Sequence, residues 1–147
     1  DCHSTVGLAL LNNVKHITQL EGIKSLPSLH NMLQDADIII APDAGAAKKA
    51  QEIASYFRKP LIQCLKNRLP DGKIEVQVLG DVKGKNVVVV DDICDGGGTF
   101  LALALSELQE AQVLNLYVTH GIFSKGKDVL VEQLYDRVES LYDWTTA

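Results

Sequence analysis

The run Val87-Val88-Val89-Val90-Asp91-Asp92-Ile93-Cys94-Asp95-Gly96-Gly97-Gly98-Thr99 decides how the rest of the chain is read. Four consecutive valines predict a short strand buried on both faces, the kind that lies at the centre of a parallel sheet. Asp91 and Asp92 fall at its carboxyl end, where open α/β sheets bind ligands. Three glycines follow, and then an apolar run over residues 100–108 that reads as a helix. Glycines let the backbone turn its amides inward, so this loop and the helix N-terminus can cradle a phosphate, with the Thr99 hydroxyl beside it. The carboxylates suit sugar hydroxyls, or a hard cation such as Mg²⁺ bound to them.

Working outward, residues 37–41 (Asp-Ile-Ile-Ile-Ala) predict a second buried strand, running directly into Pro42-Asp43-Ala44-Gly45-Ala46. Ala47, Ala50, Ile53, Ala54 and Phe57 then mark one face of a helix. The geometry of the first strand–turn–helix unit therefore repeats, and its turn is a seat for a pyrophosphate. On the residues alone, Asp43 reads equally as a cation ligand or as the cap of the helix. Residues 61–65 predict a short strand that delivers Lys66-Asn67-Arg68 into a polar loop turning at Pro70-Asp71-Gly72. Residues 74–79 alternate as a half-buried strand should, and residues 112–119 form a further strand ending at His120. Upstream, residues 26–33 predict a surface helix with Pro27 in its first turn, and residues 14–17 a strand. The tail after Val129 carries a helix-like run, a strand start at Asp136-Arg137-Val138, and Trp144.

Composition narrows the classes. The 147 residues make one domain with a real core, at 46% hydrophobic and 22% charged. A net charge of -5 and no basic block argue against sequence-independent attraction to nucleic acid. No apolar run approaches the roughly 18 residues of a membrane span. Cys2, Cys64 and Cys94 are odd in number and widely spaced, which fits reduced thiols and a cytoplasmic location. A chain that opens on Asp1 reads as a piece of a longer protein.

The Val-Val-Asp-Asp-Ile-Cys-Asp-Gly-Gly-Gly-Thr string resembles the ribose-5-phosphate motif of the type I phosphoribosyltransferase fold. That fold is shared by phosphoribosyltransferases and ribose-phosphate pyrophosphokinases. Further strings resemble the pyrophosphokinases: Asp1-Cys2-His3-Ser4, the start of their divalent-cation signature; Pro42 to Ala46, their pyrophosphate loop with Ala46 for a second Gly; Lys66 and Arg68, their catalytic loop; and Thr119-His120-Gly121-Ile122-Phe123-Ser124. After Ser4 the chain departs from the family, with Val6 in place of Gln and His16 in place of an Asp. The resemblance runs from Asp1 to about Arg137 and corresponds to the carboxyl-terminal half of such an enzyme, without its amino-terminal domain.

What the resemblance implies is specific. The fold would be a three-layer α/β phosphoribosyltransferase-like domain, a mainly parallel central sheet flanked by helices, spanning residues 1–147. The activity would be ribose-phosphate diphosphokinase, using ATP and ribose 5-phosphate with Mg²⁺ as cofactor. Asp91, Asp92, Asp95, Gly96, Gly97, Gly98 and Thr99 would bind ribose 5-phosphate. Asp43, Ala44, Gly45 and Ala46 would form the pyrophosphate loop, His3 and Asp43 would hold the metal, and Lys66 and Arg68 would be catalytic. The full-length protein would be a cytoplasmic homo-oligomer, with neither nucleic acid nor membrane as partner. Three alternatives compete: a type I phosphoribosyltransferase, which shares the motif but for which no base-binding hood is evident, a non-catalytic protein associated with the synthetase, and a phosphoribosyl-binding regulator of transcription, against which the acidic balance counts.

Overall fold

The computed structural model of the chain describes residues 1–132 and 134–146, Thr5 and Thr146 by their backbone alone. Six strands form one sheet in the order β3-β2-β1-β4-β5-β6. They are β1 (Ile38–Ala41), β2 (Leu61–Arg68), β3 (Ile74–Val78), β4 (Asn86–Cys94), β5 (Val113–Gly121) and β6 (Arg137–Asp143). Every pair is parallel except β2 with β3, a hairpin at the sheet's edge. The mainly parallel sheet expected from the valine run is therefore present, with β1 and β4 at its centre.

The four valines show why this strand is central. Val87 and Val89 enter the core on one face, with Phe100, Leu103, Leu108, Leu116 and Leu130. Val88 and Val90 enter the core on the other, with Ile23, Leu29, Leu33, Ile53 and Phe57. Successive strand residues point to opposite faces, so an all-apolar run feeds two layers at once. Each buried valine stabilises the fold by about 1.5–3 kcal/mol.

Helices cover both faces. On one side lie α2 (Gln19–Ser25), α3 (Pro27–Asp35) and α4 (Ala44–Phe57), and on the other α5 (Gly98–Ala104) and α6 (Asp128–Val131). Helix α2 was not expected; a Thr18–Glu21 capping box starts it, each side chain bonding the other's backbone N–H. Helix α3 begins with Pro27 as the spacing predicts and buries Leu29, Met32 and Leu33. Helix α4 stops at Arg58, which takes a left-handed conformation at φ 56°.

Three local expectations are corrected. Residues 14–17 form no strand; a short helix α1 (Thr5–Ala9) precedes them, and Val14 and Ile17 stay exposed, having no neighbouring strand to pair with. The helix expected over residues 100–108 ends at Ala104, and a separate 3-10 turn spans Glu107–Glu110, capped by the Ser106 hydroxyl. Lys66, Asn67 and Arg68 lie within β2 rather than in a loop, because they pair with Val76, Glu75 and Ile74 of β3. The tail supplies α6 and β6 as its pattern suggests, while Gln133 and Ala147 lie outside the described residues. Among the described residues no helix is long and apolar enough to cross a membrane.

Candidate active site

The two strand–turn–helix units open side by side at the carboxyl ends of β1 and β4, which are hydrogen-bonded neighbours. Between them lies a cleft of about 400 Å³ lined by His3, Gln19, Asp43, Gly45, Ala46, Lys49, Lys66, Asp91, Asp92, Ile93, Thr99 and Phe100. Residues far apart in the chain meet there because a parallel sheet gathers its carboxyl ends on one edge.

Asp43 is the N-cap of α4. Its Oδ1 accepts from Gly45 N at 2.9 Å and Ala46 N at 3.1 Å, and its Oδ2 accepts from Lys66 Nζ at 2.7 Å. Burial opposes its charge, but Lys66 and the two amides prevail and hold its pKa below the ordinary carboxylate value. The capping role therefore uses one oxygen, and the other faces the cleft toward Lys66. The β2–β3 hairpin places Lys66 there; Arg68, two residues on, is exposed and does not line the cleft.

The two acids of β4 differ. Asp92 Oδ2 lies 2.8 Å from His3 Nδ1 and accepts from Lys49 Nζ at 3.2 Å. Burial would raise its pKa, yet these two partners bring it below the ordinary value. Among the described residues no cation is paired with Asp91. Burial, helped by the nearby charges of Asp92 and Asp43, pushes it up to about 7 even though it accepts from Asp92 N at 2.8 Å. A half-buried carboxylate near the charges of two others is a place where a cation or hydroxyl donors are welcome.

The glycine loop follows. Gly97 caps α5 in a left-handed conformation, φ 75°, which glycine alone adopts cheaply. A methyl group added at Gly98 would meet nothing within 4 Å, so this position opens into free space. Thr99 lines the cleft, whereas Gly98 lines an adjoining groove between α5 and the β2–β3 hairpin. Asp95, Gly96 and Gly97 form the connecting turn and line neither, and Ala44 likewise stays off the cleft lining.

Two residues the sequence reading missed are built into the site. Lys49 of α4 donates to Asp92, to Asp1 Oδ2 at 3.0 Å and to the Cys2 carbonyl at 2.9 Å. Its one legible signal was its place in the second turn of the helix that follows the expected pyrophosphate loop. Gln19 is buried and donates to the Asp91 carbonyl and to Thr119 Oγ1, a pairing no local pattern reveals.

His3 and Asp43 line one cleft but do not converge on a shared point: each is engaged by a different partner, Asp92 and Lys66. Among the described residues, no three His, Cys, Asp or Glu side chains gather as a ready metal cage.

Comparisons with known proteins agree with this geometry. The family model described as "Phosphoribosyl transferase domain" matches residues 13–144. The ribose-phosphate pyrophosphokinase of Aquifex aeolicus (strain VF5) is 33% identical over 124 residues, covering 74% of this chain and 40% of that protein. That of Cereibacter sphaeroides (strain KD131) is 39% identical over 94 residues, covering 63% of this chain and 28% of that protein. The chain thus spans less than half the length of these curated relatives. Phosphoribosylpyrophosphate synthetase from Mycobacterium smegmatis superposes with a TM-score of 0.79 at 24% identity, covering 95% of this chain and 46% of that one. Purine phosphoribosyltransferase from Pyrococcus horikoshii superposes at 0.63 and 20% identity, covering 83% of this chain and 80% of that one. With the sheet order, the paired loops at its carboxyl edge and a family match over nearly the whole length, the chain belongs to the phosphoribosyl transferase domain family.

Proposed function

We propose that this chain is the sugar-phosphate-binding part of a ribose-phosphate pyrophosphokinase, whose complete protein converts ATP and ribose 5-phosphate to phosphoribosyl pyrophosphate and AMP. The observation that carries this reading is the meeting in one cleft of the Asp91–Asp92 pair and Thr99 with the Asp43 loop and Lys66. A transferase for sugar phosphates needs the first group, and a donor pyrophosphate needs the second.

In this reading the anomeric hydroxyl of ribose 5-phosphate attacks the β-phosphorus of ATP in line. A bond forms from the sugar oxygen to that phosphorus, the bond from the bridging oxygen to the same phosphorus breaks, and AMP leaves with the bridging oxygen. Asp91 and Asp92 accept hydrogen bonds from the sugar hydroxyls and orient the attacking oxygen. The loop amides and Thr99 receive the 5-phosphate, while Gly45 and Ala46, once their amides leave Asp43 Oδ1, present them to the donor's phosphates. Lys66, released from Asp43, meets the charge that develops on the transferring group, and Arg68 approaches from the same face of the ribbon two residues away.

Mg²⁺ fits these residues. A hard cation that keeps several waters and takes its remaining ligands from substrate phosphates needs only one or two protein carboxylates, not a finished cage. Asp43 and His3, each released from its present partner, would hold it, and the ion would supply neutralisation of phosphate charge. The full-length protein as a cytoplasmic homo-oligomer belongs to the same reading and rests on the resemblance to the family.

Calorimetric titration with ribose 5-phosphate tests the site directly. The parent chain should bind it, and a variant carrying Asp91→Asn and Asp92→Asn should lose at least tenfold in affinity, an effect of the size of lost charge-assisted hydrogen bonds. Equal binding by both would end the assignment. In the complete protein, AMP formed from ATP only when ribose 5-phosphate is present separates this reaction from phosphoribosyl transfer to a base.

A further inference from the structure

The backbone that carries the two acids of β4 is held less completely than the valines before it. Among the described residues β1 registers with β4 at Val87, Val88 and Val89 only, so β4 runs on past this neighbour. Toward β5 the register passes from Asp91 with Val118 to Ile93 with His120, and Asp92 and Thr119 between them are not matched. One side chain spans that break. Gln19 Nε2 donates to the Asp91 carbonyl and to Thr119 Oγ1. Only the nitrogen end of the amide serves there, since a backbone carbonyl accepts and never donates.

From Thr119 the bonds run on to the second acid. Having accepted from Gln19, the Thr119 hydroxyl turns its single hydrogen to Asp1 Oδ2 at 3.3 Å. Lys49 directs its three hydrogens to that same oxygen at 3.0 Å, to the Cys2 carbonyl at 2.9 Å and to Asp92 Oδ2 at 3.2 Å. Every donor between Gln19 and Asp92 is therefore committed. The chain is also sheltered: Gln19 is 3% exposed, Thr119 is fully buried, and the Asp1 carboxylate is 2% exposed. Polar groups this far from water hold their geometry, because breaking one bond leaves a buried partner unsatisfied.

Helix α2 gives the amide a fixed base. Gln19 is its first residue, directly after the Thr18 N-cap whose capping box with Glu21 sets the helix start. Three residues on, Gly22 lies so close to β6 that an added methyl would overlap Leu141, which sets the distance of the helix from the sheet.

We propose that Gln19 is a positioning residue for the acid pair, its amide fixing the Asp91 backbone directly and the Asp92 carboxylate through Thr119, Asp1 and Lys49. Both acids are thereby held to meet the hydroxyls of one sugar. This deepens the function proposed above and rests on it for the identity of that sugar as ribose 5-phosphate.

Calorimetry with ribose 5-phosphate, melting curves and a carboxyl-carbon NMR titration of Asp91 test this together. Gln19→Met keeps the length of the side chain and removes its donor. It should fold with a lowered melting midpoint and bind ribose 5-phosphate about tenfold more weakly than the parent. Its Asp91 carboxyl, which burial pushes up to about 7 in the parent, should titrate roughly one pH unit or more lower once it is free to turn toward water. Thr119→Val cuts the relay to Asp92 and leaves the bond to Asp91, so binding should weaken several-fold with the Asp91 titration in place. Thr119→Ser keeps the hydroxyl and should restore the parent's affinity. An Asp91 titration unmoved in Gln19→Met would overturn the proposal whatever the affinity, since a residue that only stabilises the fold lowers the melting midpoint alone. Parent-like binding by Gln19→Met would also overturn it. If Gln19→Met does not fold, Thr119→Val decides, and its binding like the parent would overturn the relay. A parent chain that fails to bind ribose 5-phosphate, with the Asp91 titration still moved in Gln19→Met, would keep the positioning role and remove the proposed reaction.

Discussion

At the scale of single residues, the cleft is organised by which carboxylates have partners. Asp43 and Asp92 are held ionised by Lys66, His3 and Lys49, while Asp91 is left facing their negative charge. The folded chain therefore keeps a proton on Asp91 up to about pH 7 that the unfolded chain releases near its ordinary value of 3.8. Because the folded state binds the extra proton, this group makes stability fall as pH rises through that window. Asp91→Asn should accordingly be more stable than the parent at pH 8, on the order of 1–2 kcal/mol, with the gap closing toward pH 4; urea midpoints across that range check it. Lys66 carries a different expectation, since its ion pair with Asp43 is partly exposed and contributes little to stability. Lys66→Ala should melt close to the parent, yet in the full-length protein slow AMP formation by about a hundredfold or more. Unchanged turnover would remove its catalytic role.

At the scale of elements, the three-glycine loop divides into a position required by the backbone and a position that the proposed ligand would require. Gly97 must turn left-handed to start α5, a conformation that an L side chain strains, while an added methyl would meet Leu130 only at ordinary contact distance, 3.4 Å. Gly97→Ala should therefore cost about 1–2 kcal/mol of stability, seen as a lower thermal midpoint. Gly98 has an ordinary conformation and open space on the adjoining groove, so Gly98→Ala should fold like the parent and weaken ribose 5-phosphate several-fold by setting a methyl beside the amides proposed to receive the 5-phosphate. Equal loss of stability in both variants would contradict this division. The hairpin shows the opposite kind of dependence: Lys66 enters the cleft because β3 extends β2 past Leu65 and carries the cation to Asp43. A polar tripeptide before a Pro-Asp-Gly turn gave no local sign of that pairing, since register is set by the partner strand.

At the scale of the whole molecule, two cores sandwich one sheet, and the cysteines report their integrity. Cys64 and Cys94 are buried in one core, with burial pushing both thiols up to about 12, whereas Cys2 is partly exposed near the cleft. A disulfide reagent should modify one thiol in the native chain and three after denaturation, and rapid native modification of more than one would contradict the packing. The central strands, the turns that follow β1 and β4 and the α/β class were legible in the chain alone. Those features are written in consecutive residues, since an apolar run of four can only be buried on both faces and a glycine turn after it has few conformations. Only the tertiary structure decided that Lys49 and His3 share Asp92, that Gln19 holds the Asp91 carbonyl, and that His120, Tyr142 and Trp144 align. Each of these joins residues from separate elements, some as many as 89 positions apart, and a contact at such separation is set by sheet order and packing, to which no local pattern in the chain corresponds.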